Sequence, residues 1–355
     1  GENIIATITY IDSSNLRLHS WMGIKRKMNR LLFILLILII LAGCFNKSET
    51  VSDGITIFTE EENIKENFIA EEKTFIKDLY EDYSSAALIS KTGEVSIVKD
   101  KFYIEGKTVY VKAKSYKDIV GIYLTENYHS ITDAYQHMIE YLENDEKVMT
   151  VLLDGFSYNQ FKLAQEKDYI PFLSKHFKHA ALSVYTPVTN AGFAAIITGQ
   201  TPSVNGVHDR SVRDMKVKSI FEYTLEKDKE AVLLEGDIKI LSTEIEPLLH
   251  IDLNGDGGTD DELYESALKA LEGNYDLIFI HFHGIDDRGH TFGPYHRETM
   301  EYIKLIDQYI QELSLNWDGA IILVPDHGMH ETSEGGSHGI CTQSDMVVPY
   351  FIKDE

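Results

Sequence analysis

Basic residues and cysteines are both scarce in this chain of 355 residues. Lys and Arg number 33 against 57 Asp and Glu, a formal net charge of -24. A surface this acidic repels a phosphate backbone, which excludes DNA or RNA as a structural partner. Small anionic substrates remain open, because bound cations can reverse the field inside a pocket. The two cysteines, Cys44 and Cys341, are too few for a disulfide-built secreted scaffold. Long apolar runs are also missing. The longest, Leu31–Ala42, has 12 residues, short of the roughly 20 that a membrane-spanning helix needs.

That run instead fits the core of a signal peptide. Lys25, Arg26, Lys27 and Arg30 precede it, and Leu41-Ala42-Gly43-Cys44 closes it. The closing tetrapeptide resembles the lipobox of bacterial lipoproteins, which implies lipidation at Cys44 and an extracytoplasmic chain anchored to the bacterial cell membrane. An uncleaved N-terminal anchor is the alternative, and it leaves the rest of the chain on the same side. Residues 1–21 precede a plausible start at Met22 and are set aside. Loss of residues 1–43 takes away five basic and two acidic residues, leaving 28 against 55.

Hydrophobic content of 43% leaves no doubt that a core forms, and the length suits one large domain with a small accessory one. Residues 44–73 are polar, acidic and weakly periodic, as expected of a tether. Residues 74–140 alternate short apolar runs with Gly, Lys and Asp turns, which predicts a small β-rich unit. From 147 to 355 the pattern changes. Apolar strands such as VMTVLL, AVLLE, LIFIHF and AIILV alternate with helical stretches starting near Thr189, Thr259 and Glu298. This predicts an α/β fold with a mostly parallel central sheet covered on both faces, its site beyond the carboxyl ends of the strands.

Acid and imidazole collect at those ends. VLLDGF ends at Asp154, HFHGIDDRGH carries Asp286 and His290, IILVPDHGM carries Asp326 and His327, and GGSHG carries His338. These side chains are the types that hold zinc and similar divalent ions. Any one of them could be a turn residue or a structural histidine; the ordered set is harder to explain that way. His281 and His283 lie on alternating strand positions before the turn and read as structural or as supports behind the ligands.

In order and spacing, DGF, a Thr-bearing loop before a TG turn, D-x-x-x-H-x-x-GP, DHG and GxHG, the set resembles the alkaline phosphatase superfamily. It looks closest to the type I phosphodiesterase and nucleotide pyrophosphatase branch, over about Val148–Tyr350. The resemblance implies a three-layer fold and a two-metal phosphohydrolase acting on a small phosphate ester or nucleotide. One ion, zinc or manganese, would be held by Asp286, His290 and His338. The other would be held by Asp154, Asp326 and His327, with Thr189 touching it. Register to Thr198-Gly199 selects Thr189 as nucleophile, which implies a phospho-threonine intermediate. Thr189 also stands where a helix N-cap would. The chain departs from the branch in reading TNAG where TFPN is usual, and Arg210 stands where a phosphate-contacting Asn is found. An arginine there would clamp phosphoryl oxygens bidentately and makes monoester substrates more plausible. A head-group phosphotransferase and a non-catalytic binding lipoprotein remain as alternatives. A sulfatase is excluded, because no C/S-x-P-x-R motif lies near Thr189.

Asp252-Leu-Asn254-Gly-Asp256-Gly257 resembles the start of a calcium loop, but its twelfth position is Leu263 rather than Glu. An acidic loop leading into the next helix is the favoured reading.

Overall fold

The computed structural model describes residues 53–354. The leader, the lipobox at Cys44 and the first part of the tether lie outside the described residues.

Nine strands come first: β1 (Ile55–Phe58), β2 (Asn63–Phe68), β3 (Ala70–Phe75), β4 (Ser85–Ser90), β5 (Val95–Val98), β6 (Phe102–Gly106), β7 (Thr108–Val111), β8 (Lys114–Tyr116) and β9 (Ile119–Thr125). They form a five-stranded sheet ordered β2-β1-β9-β4-β5 and a four-stranded antiparallel sheet ordered β3-β6-β7-β8. Apolar residues of both sheets, among them Ile57, Leu88, Ile122, Ile104 and Val109, share one core. In β4 and β9 the alternate residues Ala87, Ile89 and Tyr123 face the other way and join the core of the following domain. The small unit is thus fused to the large one through a sheet buried on both faces, which is why SAALIS and IVGIYLT read as unbroken apolar runs.

The expected tether is corrected here. From Ile55 onward residues 44–73 contribute strands, and Ile55, Ile57 and Phe58 are fully buried. The acidic stretch looked unstructured because β2 and β3 are largely exposed, with the consecutive residues Glu71, Glu72 and Lys73 all in solvent.

The second half carries β10 (Val148–Leu153), β11 (Phe177–Leu182), β12 (Ala231–Glu235), β13 (Leu248–Leu249), β14 (Leu277–Phe282), β15 (Ala320–Val324), a hairpin of β16 (His330–Thr332) and β17 (Gly335–Ser337), and β18 (Val347–Lys353). Seven of these form one sheet, ordered β11-β18-β15-β10-β14-β12-β13. The pairings β15-β10-β14-β12-β13 are parallel, while β18 runs antiparallel to both β15 and β11. The sheet is therefore mostly parallel, as the sequence led us to expect, with one reversed strand.

Its two faces bury alternate residues of each strand. Met149, Val151 and Leu153 pack with the helices Tyr158–Glu166, Asp260–Leu271 and Arg297–Leu315. Val148 and Leu152 pack with the helices Asp133–Glu143, Thr189–Thr198 and Ile220–Glu226. The result is a three-layer α/β domain. Parallel strands bring the carboxyl ends of β10, β12, β14 and β15 to one edge, and the candidate site lies there.

Candidate metal centre

Each site residue is placed by a short local device. Asp154 follows β10 directly, and the chain turns at Gly155, where φ is 72° and an added Cβ would lie 2.8 Å from Asp286 Oδ1. Ser157 then opens the next helix with a capping box: its Oγ accepts from Gln160 N at 3.1 Å, and Gln160 Oε1 accepts from Ser157 N at 2.8 Å. Thr189 is the first residue of its helix, and the preceding Val188 makes no side-chain cap. The hydroxyl is thus not spent on capping; it lies 3.5 Å from Asp154 Oδ1 and 3.4 Å from His327 Nε2. Gly192 lets this helix press on the end of β15, since a Cβ there would lie 2.5 Å from the Asp326 carbonyl oxygen.

Asp286 and His290 sit on a helix, Gly284–Phe292, that follows β14. Their spacing of four places them on one face, with His290 Nε2 3.3 Å from Asp286 Oδ2. The helix start is held from a distance: the Asp260 carboxylate accepts from His283 N and Gly284 N, each at 2.9 Å. His338 lies on the loop after β17. Its Nδ1 donates to the Pro187 carbonyl at 2.8 Å, which turns Nε2 toward the centre. Asp345 braces that loop by accepting from Gly339 N and Ile340 N at 2.9 and 3.0 Å, and from His330 Nδ1 at 2.8 Å.

The fold brings the expected residues together. Donor atoms of Asp154, Asp326 and His327 lie within 4.8 Å of one another, as do those of Asp286, His327 and His338. His327 belongs to both sets, and His290 reaches the second through Asp286. Arg210 Nη2 stands 2.6 Å from His338 Nε2. Asp286 Oδ1 and Asp326 Oδ2 are buried with no hydrogen-bond partner, which is uncommon for a carboxylate oxygen without a cation to serve.

Two histidines read as structural or as supports behind the ligands reach the centre. His281 Nε2 is 3.6 Å and His283 Nδ1 3.2 Å from Asp154 Oδ2, and the three form a further candidate ligand group. On its other side His281 Nδ1 faces Glu235 Oε1 at 3.5 Å. Glu235 was missed in the sequence, although it closes AVLLE as Asp154 closes VLLD, an acid at a strand end. Asn190 was missed too. Its side-chain amide donates to the carbonyls of Val212 and Ile240, both at 3.2 Å, so it ties two site loops to the helix of Thr189.

Electrostatics follow from crowding these groups in a dry site. Burial works to raise the Asp154 carboxyl, but hydrogen bonds from His281 and His283 and the charge of His327 win and hold it well below the usual range. Burial and the Asp154 charge push Asp326 up to about 7. His290 rises to about 9, chiefly through its hydrogen bond to Asp286. Burial and the neighbouring His327 press His338 down to about 2, so its Nε2 stays unprotonated and accepts from Arg210.

The segment that resembles a calcium loop behaves as the acidic loop that was the favoured reading. Asp252 accepts from the backbone N–H groups of Gly255 and Gly257, Asn254 from that of Asp256, and Asp256 from that of Gly258. Its oxygens close the loop on itself, and none of Asp252, Asn254 and Asp256 belongs to a candidate ligand group among the described residues. Leu263, at the twelfth position, is a core residue.

The class so defined is a three-layer α/β protein with a carboxylate–imidazole centre and a threonine hydroxyl at the carboxyl edge of its sheet. Over residues 243–347 the chain matches the model of the type I phosphodiesterase / nucleotide pyrophosphatase family. It is 38% identical over 91 residues to GPI ethanolamine phosphate transferase 1 of Emericella nidulans, covering 22% of this chain and 10% of that protein. It is 31% identical over 96 residues to the human GPI ethanolamine phosphate transferase 3 catalytic subunit, covering 26% and 8%. The chain thus spans a tenth or less of the length of these relatives. Among solved structures, phosphonoacetate hydrolase from Sinorhizobium meliloti is similar at TM-score 0.42 and 17% identity, over 52% of this chain and 56% of that one. Murine ectonucleotide pyrophosphatase / phosphodiesterase 5 is similar at 0.43 and 15%, over 53% and 59%.

Proposed function

We propose that this protein is a metal-dependent hydrolase of phosphate esters that works through a phospho-threonine at Thr189. One observation carries the reading: a hydroxyl outside any capping bond lies between Asp154 and His327, the residues that head two adjoining ligand sets. The match to the phosphodiesterase family model over residues 243–347 supports the same chemistry.

The donor set fits two divalent ions, zinc or manganese, because carboxylate and neutral imidazole suit both. The unpartnered oxygens Asp286 Oδ1 and Asp326 Oδ2 support the fit. Asp154, Asp326 and His327 would hold one ion, and Asp286, His290 and His338 the other. Such ions, when bound, lower the pKa of a hydroxyl or water and stabilise charge on phosphoryl oxygens. The chain's own residues orient the reaction. Thr189 Oγ1 bonds phosphorus as the ester oxygen departs with a proton. Water then attacks the phospho-threonine, releasing the phosphorylated product and restoring the hydroxyl. The helix Thr189–Thr198 would offer its first N–H groups to a phosphoryl group bonded at Thr189, and Arg210, beside His338, would be available to clamp its oxygens.

A second reading, phosphoryl transfer to an alcohol, is favoured by the two GPI ethanolamine phosphate transferases that the chain resembles in part. Assays with p-nitrophenyl phosphate and its bis ester, each with and without an added amino alcohol, separate monoesterase, diesterase and transferase. Metal-loaded protein that left every phosphate ester intact would end the proposal. The leader supports a lipoprotein on the outer side of a bacterial membrane, tested by loss of fatty-acid labelling in Cys44→Ser.

A further inference from the structure

The small β unit turns an aromatic row outward. In β6 and β7, Phe102, Ile104, Val109 and Val111 point into its core, so the alternate residues Tyr103 and Tyr110 take the opposite face of the four-stranded sheet. Register continues the row into β3: Phe75 lies opposite Tyr103, and Tyr103 opposite Tyr110. The ring centroids are 5.6 and 5.0 Å apart, and Lys73 Nζ rests 4.1 Å from the Tyr103 centroid. Phe75 is 40% exposed and the two tyrosines are half-buried. Cross-strand packing accounts for the stacking of the rings on one another. It does not account for the charge around them.

That charge is the reverse of the chain's own. Residues 99–117, which span β6, β7 and β8, carry six lysines against two acids, Asp100 and Glu105, in a chain of net charge -24. Lys99, Lys101, Lys107, Lys112, Lys114 and Lys117 are all exposed. Two of them are paired, Lys107 with Asp53 and Lys112 with Asp100. Glu71 and Glu72 stand toward the end of β3 that pairs with Gly106, and Lys73 and Phe75 toward the other. The Lys107–Asp53 pair, at 2.6 Å, also marks where the chain enters this sheet. Only residues 45–52 separate Asp53 from Cys44, a stretch that spans roughly 30 Å at most. Tyr103 is about 13 Å along the strand from Lys107, at the usual rise per residue.

We propose that this aromatic and basic face of the small β unit is the surface that the folded chain lays on a membrane containing anionic phospholipid. The choice of a bilayer as occupant rests on the lipoprotein reading of the leader, which puts a lipid at Cys44, a short stretch of chain from the face. Aromatic rings at the level of the head groups and lysines beside the lipid phosphates are two devices by which a protein lies on such a surface. Phe75, Tyr103 and Tyr110 supply the first, and the lysines of residues 99–117 the second. The acidic body of the chain is repelled by the same phosphates, so charge also sets the orientation, with β6, β7 and β8 toward the lipid.

The test uses the metal-loaded chain from residue 44 onward carrying Cys44→Ser, which has no lipid and keeps all three apolar cores. It should co-sediment with mixed phosphatidylglycerol and phosphatidylcholine vesicles and not with phosphatidylcholine alone, and about 0.5 M NaCl should release it. K101E/K114E should raise the lipid concentration at half-binding about tenfold or more. Phe75→Trp adds a reporter to a chain whose one tryptophan, Trp317, is buried. Brominated lipid should quench the reporter and spare Trp317. No sedimentation with the mixed vesicles, unchanged affinity in K101E/K114E at an unchanged urea midpoint, or an unquenched reporter in Phe75→Trp would overturn the inference. Retention on heparin without vesicle binding would overturn it too, and would assign the face to an anionic polymer. Fatty-acid labelling of the full chain is scored separately. Labelling without vesicle binding removes this face and leaves the anchor; vesicle binding without labelling does the reverse.

Discussion

Arg210 donates a guanidinium hydrogen bond at 2.6 Å to His338 Nε2, the nitrogen that must face a metal ion if His338 is a ligand. The other ring nitrogen is already committed to the Pro187 carbonyl. One lone pair cannot serve a guanidinium and a divalent ion together, so metal loading must release Arg210 toward the substrate. Arg210→Gln should therefore lower turnover about 10²-fold, the usual cost of losing one oriented donor to a developing oxyanion. It should also strengthen metal binding at the Asp286 and His338 set, read by competition against a chelating dye. Weaker binding in the variant would show that the arginine supports the ion instead of excluding it.

Gly192 and Asp326 make a second constraint. The TNAG segment departs from the branch's usual TFPN, and packing gives a reason for its glycine. A Cβ at residue 192 would lie 2.5 Å from the Asp326 carbonyl oxygen and 2.7 Å from its Cβ. In an open helix Gly→Ala stabilises by roughly 1 kcal/mol. Here the clash should reverse the sign, with overpacking costing about 1–3 kcal/mol. Gly192→Ala should lower the urea midpoint and cut turnover by displacing Asp326. A midpoint at or above wild type would mean that the helix backs away freely.

Much of the centre was readable because burial on both faces makes a strand an unbroken apolar run. VMTVLL, LIFIHF and AIILV stand out for that reason, and acids at their ends point to the active edge. The same uniformity hides direction: VVPYFI reads like its neighbours, yet β18 runs antiparallel to β15. Strand alternation holds for His281, which lies in β14, but not for His283, which has already left the strand with φ -105° and ψ -20°. Both rings then reach Asp154. Bracing groups such as Asp260 and Asn190 act across 23 and 50 residues of sequence, a distance over which no local pattern survives. Strands β2 and β3 were missed because their sequence is charged and mostly exposed, while β1 is a buried run of only four residues.

Asp345 touches none of the candidate ligands' donor atoms, yet its carboxylate holds two N–H groups of the loop just after His338 and the ring of His330. Removing a group that orients a ligand typically costs 10- to 100-fold in metal affinity. Asp345→Ala should weaken binding by that amount at one ion while the other titrates nearly as before. Asp345→Asn, which keeps one acceptor oxygen, should lose less. Equal loss at both ions would indicate general unfolding and would show as a lowered melting temperature without metal.

His179 supplies a pH dependence outside the centre. Its ring stacks on His129 at 3.6 Å between centroids and on Tyr350 at 5.2 Å. Burial, then the neighbouring His129, presses its pKa down from 6.5 to about 4. The unfolded chain takes up a proton near pH 6.5, while the folded one resists until about pH 4. Stability from this group is therefore complete above about pH 6.5 and erodes as pH falls toward 4. His179→Phe keeps a ring for stacking and has no proton to bind. Urea midpoints measured on metal-free protein at pH 7 and pH 5 should drop less in the variant than in wild type. An identical drop in both proteins would assign the acid sensitivity to the carboxylates of the centre.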